Sequence, residues 1–484
     1  MASAAPAGRP AGPGVPPEVR DHADDWPVPG QDFGNSRAAV TPVDASNVTG
    51  LEEAWTVELD GGASTAPLIV GDTVYVQDTS SAVRAVDRAT GAVRWTRQLD
   101  EFTIGPHGVA VGWGSVFATT GKSVAALDAE TGEVRWKRRL TQTETEGVDI
   151  QPVAYARRVL ASTVPVSVQG QFVGGDRGVI SALDAATGRT AWSFDTVKSD
   201  DLWGHAELNS GGGAWYTPSI DVRTGMTYWG TGNPSPFPGT KEFPNGTSRP
   251  GPNLYTESTV ALPIANGKLR WYFQAHPHDL FDRDFVHTMV IDVAEGDRSR
   301  GIVIGAGKGG VVYGLDPRTG KRLWKATVGE HDHDQLRELG GPVDMLPGTY
   351  GGIITPPAAA DGIVYVATVN APTELVPDEP RYIGSDVGTM DGEIAAIDAR
   401  DGSEVWATRV PGDPMGGITV ANDLLLTTLL TGDLLALDRE TGEIVWTRPM
   451  GGTVNGWISV AGDLVLVPVG GGDPPQLVAL RLPG

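Results

Sequence analysis

The chain has 484 residues, with 37 Lys and Arg against 60 Asp and Glu for a formal charge of −23, and it contains 65 Gly, 36 Pro and no Cys. The acidic balance leaves no basic stripe for nucleic acid or an anionic membrane surface, and the absence of Cys excludes a disulfide framework, thiolate chemistry and Cys-ligated metal centres. Hydrophobic residues at 40% suffice for a sizeable core, and no run of 18 apolar residues is present to span a bilayer.

In chain order, residues 1–25 (MASAAPAGRPAGPGVPPEVRDHADD) are rich in Pro, Gly and Ala, have no apolar signal-like region and read as a flexible tail. Residues 26–484 read as one repeat domain. Seven segments share one pattern: AVDRATGAVRW ends at Trp95, ALDAETGEVRW at Trp136, ALDAATGRTAW at Trp192, ALPIANGKLRW at Trp271, GLDPRTGKRLW at Trp324, AIDARDGSEVW at Trp406 and ALDRETGEIVW at Trp446. Each reads as a strand, a tight turn ending in Gly, Asp-x-x-Thr-Gly in five of the seven, and a returning strand that ends in Trp. A second hairpin precedes most copies, as in VGDTVYVQD and AGDLVLVPV. Four short antiparallel strands per unit make one propeller blade.

An eighth Trp, Trp55, stands in EEAWTVELD without a hairpin before it, and the missing strands lie at the other end of the chain, in LVPVGGG and LVALRLPG. The fold expected is therefore all-β: an eight-bladed propeller whose ring is closed by N- and C-terminal strands. Successive Trp residues are 40, 41, 56, 79, 53, 82 and 40 residues apart. A bare blade accounts for about 40 residues, so insertions follow Trp136, Trp192, Trp271 and Trp324. The repeated Trp residues read as inter-blade packing. Function is expected in what does not repeat, namely 197–260, 272–290 and 325–350, clustered at one mouth.

Two unique stretches carry chemistry-bearing residues: GGGAWYTPSIDVRTGMTYWGTGNPSPF (211–237), and AHPHDLFDRDF (275–285) after RPGPNLYTESTVAL. With the repeat and the opening DWPVPGQDFGNSRAAVTPVDASNVTGLEEAW, they resemble the pyrroloquinoline quinone (PQQ)-dependent alcohol dehydrogenases from about Trp26 to the C-terminus. The resemblance implies that Asn233 binds a metal, with an amide oxygen that suits a hard cation such as Ca²⁺. It implies that Asp282 is the general base, that Trp215 stacks on the quinone and that Lys308 donates to its oxygens. Asp284 falls where lanthanide-using members add a carboxylate ligand. The activity implied is oxidation of a primary or secondary alcohol with PQQ and a bound Ca²⁺ or lanthanide ion, in the periplasm or outside the cell. Partners are then a small-molecule alcohol and an external electron acceptor, because no haem-attachment CxxCH occurs.

The sequence also departs from that pattern. The vicinal Cys pair corresponds to Thr103-Ile104-Gly105, and the Arg that follows corresponds to His107, read here as a second catalytic candidate. The metal-binding Glu falls at Val173, with Asp176 three residues away. An Asn-Trp pair becomes Ile353-Ile354, and an acidic residue becomes Ser64. The stretch 237–255 reads as the substrate selector. Two other readings stay open. One is cofactor-free acid–base chemistry by Asp282 with His107, His205 or His278; the other is a non-catalytic binding or assembly scaffold. His331 and His333 in GEHDHDQ read as surface residues or, at alternate positions, as transition-metal ligands. Each candidate also has a plainer reading: Asn233 and Asp282 as turn residues, Trp215 as core, Lys308 and Asp284 as surface charges.

Overall fold

The computed structural model of the chain describes residues 12–483 apart from Asp100, Phe102, Ile104, 169–170, Asp297, 381–387 and Thr389. Residues 1–11 of the expected tail, and Ile104 of the Thr103-Ile104-Gly105 stretch, lie outside the described residues.

Inner strands rich in Val, Leu and Ala, such as Thr73–Gln77, Ser115–Thr119 and Leu424–Thr428, are buried at every position. A strand covered on both faces carries apolar residues on both. Outer strands such as Val93–Gln98 and Ile444–Pro449 alternate between exposed and half-buried residues and form the rim. Eight four-stranded antiparallel blades result. Blades 1 to 7 span 68–98, 109–139, 153–195, 219–274, 287–327, 358–410 and 419–449. Blade 8 spans 459–481 and takes its outer strand, Glu52–Glu58, from the N-terminal side, with Trp55 opposite Ala479. The ring is closed as the sequence implied.

The repeat builds both a turn and a lock. Asp128 Oδ1 accepts from the N–H groups of Glu130 and Thr131 and from the Thr131 hydroxyl, and so shapes the turn that ends at Gly132. Gly132 has φ +70°, and a Cβ there would lie 2.6 Å from Cε3 of Trp95 in the preceding blade. The Trp95 indole N–H then donates to the Ala129 carbonyl in the same turn, at 3.1 Å. Equivalent bonds run from Trp55 to Arg88, Trp136 to Ala185, Trp192 to Ile264, Trp271 to Pro317, Trp324 to Ala399 and Trp406 to Arg439. The Trp residues therefore pack between blades and also hydrogen-bond across them. At the junction of blades 7 and 8, Arg448 Nη1 bonds the Leu51 carbonyl at 2.7 Å.

Composition misreads residues 12–25, which are packed against the ring. Pro17–Asp21 forms a helical turn, and Val15 and Val19 are buried in the core beside blades 2 and 3. Asp25 pairs with Arg88 at 2.7 Å. Further on, the segment crosses one end of the axis. Buried Arg37 donates to the carbonyls of Ile418 and Ile458 and to the Thr419 hydroxyl, while Asn35 donates to the carbonyls of Thr217 and Thr288. The insertions meet as expected. Asn245 and Leu339 exchange hydrogen bonds, and Leu280, Phe281, Leu339, Met345 and Leu375 form one apolar cluster. Among the described residues, no helix is long and apolar enough to cross a membrane.

Candidate functional site

Every inter-blade connection contributes to one cavity of about 420 Å³, from Gly105 and Asp149 round to Ile354, Met415 and Trp457. It therefore lies on the ring axis. Tyr216 and Trp457 stack at 5.3 Å and separate it from the smaller void that Arg37 borders.

The charged centre is built by the connection between blades 4 and 5, the loop after Met226–Gly230 in blade 4 and the turn after Arg298–Gly307 in blade 5. Asp279 Oδ2 accepts from the N–H groups of Phe281 and Arg283 and shapes the loop in which Asp282 sits at φ +61°. A non-glycine residue in that region is uncommon and strained, and such strain clusters at functional sites. Asp284 follows on the same loop. Its Oδ1 accepts from the Asn233 N–H at 2.8 Å, and a Cβ at Gly232 would come within 2.5 Å of that oxygen, so only glycine fits beside it. Asn233 anchors its amide nitrogen on the Pro234 carbonyl and leaves its amide oxygen as the acceptor available to a cation.

Lys308 joins the two carboxylates. Its Nζ lies 3.1 Å from Asp282 Oδ2 and 2.6 Å from Asp284 Oδ2, and 5.6 Å from the ring centre of Trp215. Asp282, Asp284 and Lys308 are all buried. Burial raises the Asp282 carboxyl well above the ordinary range; Lys308 opposes that rise, and Asp284 adds to it. Burial would lower the Lys308 ammonium, but the two carboxylates outweigh it and hold Lys308 charged. Behind the site, Glu257 is fully buried with neither carboxyl oxygen hydrogen-bonded. Burial first, then Asp279, Asp284 and Asp282, raise its pKa well above the usual value, which favours the protonated acid.

Five of the six expected site residues (Trp215, Asn233, Asp282, Asp284 and Lys308) line this cavity. His107 does not. Its Nδ1 lies 2.5 Å from the Gly105 carbonyl and its Nε2 3.0 Å from the Thr103 hydroxyl, and the ring is fully buried inside the wall. Fully buried and not among the residues lining the cavity, His107 belongs to the wall, so its catalytic reading is corrected to a packing role. Val173 is 40% exposed, and Asp176 bonds Thr143 at 2.7 Å; neither lines the cavity. No residue of 237–255 lines it either; buried Arg249 pins that stretch to the carbonyls of Pro236 and Asp279. His331 bonds Asp334 and the Val328 carbonyl through its two nitrogens, and His333 bonds the Asp344 carbonyl.

Two acids were not singled out from the sequence. Glu257 lies within TESTVAL and Asp149 within GVDIQP, and no motif marks either; burial alone makes them unusual. Asp149 lines the cavity with its Oδ1 unpartnered, and burial raises its pKa to about 8. Its carboxylate lies against Gly105, where a Cβ would come within 2.3 Å of Oδ2. Among the described residues, no three His, Asp or Glu side chains close a metal site by themselves. The arrangement offers a proton acceptor, a fixed cation and an aromatic face within one cavity.

Residues 26–108 and 139–333, more than half of the chain, match the PQQ family described as the β-propeller domain of glucose, ethanol and alcohol dehydrogenases. The chain belongs to this family. Residues 390–481 match the family of the outer membrane protein assembly factor BamB. Among curated relatives, quinohemoprotein alcohol dehydrogenase of Comamonas testosteroni is 28% identical over 402 residues, which cover 73% of this chain and 56% of that protein. Quinohemoprotein alcohol dehydrogenase ADH IIB of Pseudomonas putida is also 28% identical, with coverage of 80% and 61%. The chain thus spans little more than half the length of these relatives. In fold it is similar to the crystal structure of the Comamonas testosteroni enzyme, with TM-score 0.82, 23% identity, and 96% and 81% of the two chains covered. It is likewise similar to a europium-containing methanol dehydrogenase, with TM-score 0.81, 20% identity, and 95% and 98% covered.

Proposed function

We propose that the chain is a quinoprotein-type oxidoreductase that oxidises a primary or secondary alcohol with PQQ and a bound Ca²⁺ or lanthanide ion, in the periplasm or outside the cell. The observation that carries this reading is the convergence of Asp282, Asp284, Asn233, Lys308 and Trp215 on one axial cavity. The donor set suits the quinone end of the cofactor. Trp215 offers a flat face and Lys308 a cation beside it. The Asn233 amide oxygen and the Asp284 carboxylate are hard oxygen donors for the metal. For the cofactor's carboxylates the cavity offers neutral donors, among them Ser64, Ser167, Thr355 and Asn455.

PQQ, when bound, supplies an electrophilic quinone carbon that accepts a hydride. Asp282 takes the hydroxyl proton of the alcohol while the C–H bond gives up its electron pair, so a carbonyl product results. Lys308 opposes the rise that burial and Asp284 impose on Asp282, and so favours the ionised form that this role needs. Val164, Phe172, Ile354 and Met415 give the cavity an apolar wall for the carbon chain of an alcohol. An external acceptor would be needed to take up the two electrons.

The reading is tested by loading purified protein with PQQ and Ca²⁺ or La³⁺ and following dye reduction with alcohols. Alcohol-dependent reduction is expected, and Asp282→Asn should lower kcat by about 10²–10⁴-fold while retaining the fold. Absence of reduction with either ion, across primary and secondary alcohols, would overturn the proposal.

A further inference from the structure

We propose that the small cavity behind Tyr216 and Trp457 is a chloride site, in which a single anion is held by Arg37 and His287. It is distinct from the alcohol chemistry, because the stacked rings of Tyr216 and Trp457 stand between the two cavities.

Three observations carry the proposal. The first is an unpaired cation. Arg37 is 2% exposed, and its guanidinium bonds only neutral acceptors. These are the carbonyls of Ile418 at 2.7 Å and Ile458 at 3.1 Å, the Thr419 hydroxyl at 2.9 Å and, at a long 3.5 Å, the Pro29 carbonyl. A guanidinium has five N–H groups, so one is left over. Among the described residues, no Asp or Glu lines this cavity. Burial lowers the Arg37 pKa to about 9, and no carboxylate opposes that fall. A buried charge without a counter-ion is costly, and an anion beside it removes the cost.

The second observation is a free imidazole nitrogen. His287 is 3% exposed, lines the same cavity and has no hydrogen-bond partner at Nε2. Burial holds the ring neutral, and a neutral imidazole can carry its one N–H on that nitrogen. The third is size. The cavity is about 30 Å³, room for two waters or one monatomic anion at about 10–15 Å³ a water. Phosphate, sulfate and organic carboxylates are too large.

The other polar groups nearby are already engaged. Asn35 donates its amide N–H groups to the carbonyls of Thr217 and Thr288. The Tyr216 hydroxyl donates to the Ile354 carbonyl, and burial raises its pKa well above 10, so it carries no charge. Asp32, on the same segment as Arg37, accepts from the Ser36 N–H, and Asp149 lines the axial cavity instead. The anion therefore ties the N-terminal segment to blade 5 through His287, and strengthens the join to blades 7 and 8 that Arg37 already makes.

The test measures thermal unfolding midpoints at constant ionic strength, with sodium gluconate replaced stepwise by sodium chloride from 1 to about 300 mM. The wild-type midpoint should rise saturably by about 2 °C or more, and Arg37→Gln should lose that dependence. Crystals of the wild-type protein soaked in bromide should show an anomalous peak in the cavity, within reach of Arg37 and His287. A midpoint indifferent to chloride, or a rise that survives Arg37→Gln, would overturn the proposal. So would water alone in the cavity of bromide-soaked crystals, with bromide peaks only elsewhere; that result decides the matter even if Arg37→Gln does not fold.

Discussion

Replacing Asp149 by Asn removes an acid that the fold holds at a cost, and the size of that cost follows from its surroundings. The carboxyl has no cation beside it, and burial raises its pKa from 3.8 to about 8. The folded chain therefore binds more protons than the unfolded chain across that window, and stability falls as pH rises from about 4 to about 8. At about 1.36 kcal/mol per unit, the penalty reaches about 1.6 kcal/mol at pH 5 and about 4 kcal/mol at pH 7. Asn has the same shape and no titration, so the stability of Asp149→Asn relative to wild type should climb by about 2–3 kcal/mol between those two pH values. An unpartnered amide costs about 1–3 kcal/mol of its own, which offsets the curve without changing its slope. Urea unfolding of both proteins at pH 5, 7 and 8.5 measures the difference. Infrared spectra of the wild type minus the variant add a direct view: the Asp149 share of the protonated-carboxyl absorption should vanish on raising the pH through 8. A stability difference independent of pH, with no such absorption, would refute the description of Asp149 as an isolated, neutral acid.

Lys308→Met should strand Asp282 and Asp284 without their cation and cost about 3–5 kcal/mol. The loss should grow with pH, because Asp282, already raised by burial, takes up a proton as the pH falls; equal losses at pH 5 and 8 would contradict the pairing. Gly132→Ala and Gly451→Ala both place a Cβ at positive φ, +70° and +79°, but only the first meets an indole, at 2.6 Å; the second has nothing within 4 Å. The exposed change should cost about 1–2 kcal/mol and the inter-blade change about 1–3 kcal/mol more, read from denaturant midpoints. Equal costs would remove the Trp–Gly contact from the lock between blades.

The propeller was legible because its stabilising unit repeats. Each Asp-x-x-Thr-Gly turn must be tight and each Gly must face the Trp of the preceding blade, so the same residues recur at the same spacing. The packed part of the N-terminal segment was not, since Val15 and Val19 are two apolar residues among Pro and Gly, and only their contacts show that they are core. At the site, Asn233, Asp282, Asp284, Lys308 and Trp215 stand in distinctive non-repeating stretches, and the structure brings them together. His107 misled because a position along the chain does not say which way a ring turns; the hydroxyl of Thr103 and the carbonyl of Gly105 hold it within the wall. Val173 and Asp176 show the same limit, one exposed and the other bonded to Thr143. Asp149 and Glu257 are ordinary letters in the sequence. Burial without a partner gives them their character, and that is a property of the assembled ring.

The most direct test of the quinoprotein account is a titration of the purified chain with PQQ in the presence of La³⁺, Ca²⁺ or neither, followed by calorimetry and by Trp fluorescence. The account requires saturable one-to-one binding that depends on the metal and is weakened by Trp215→Ala and by Asp284→Asn. Absence of binding with both ions, or binding indifferent to metal and to both substitutions, would contradict it.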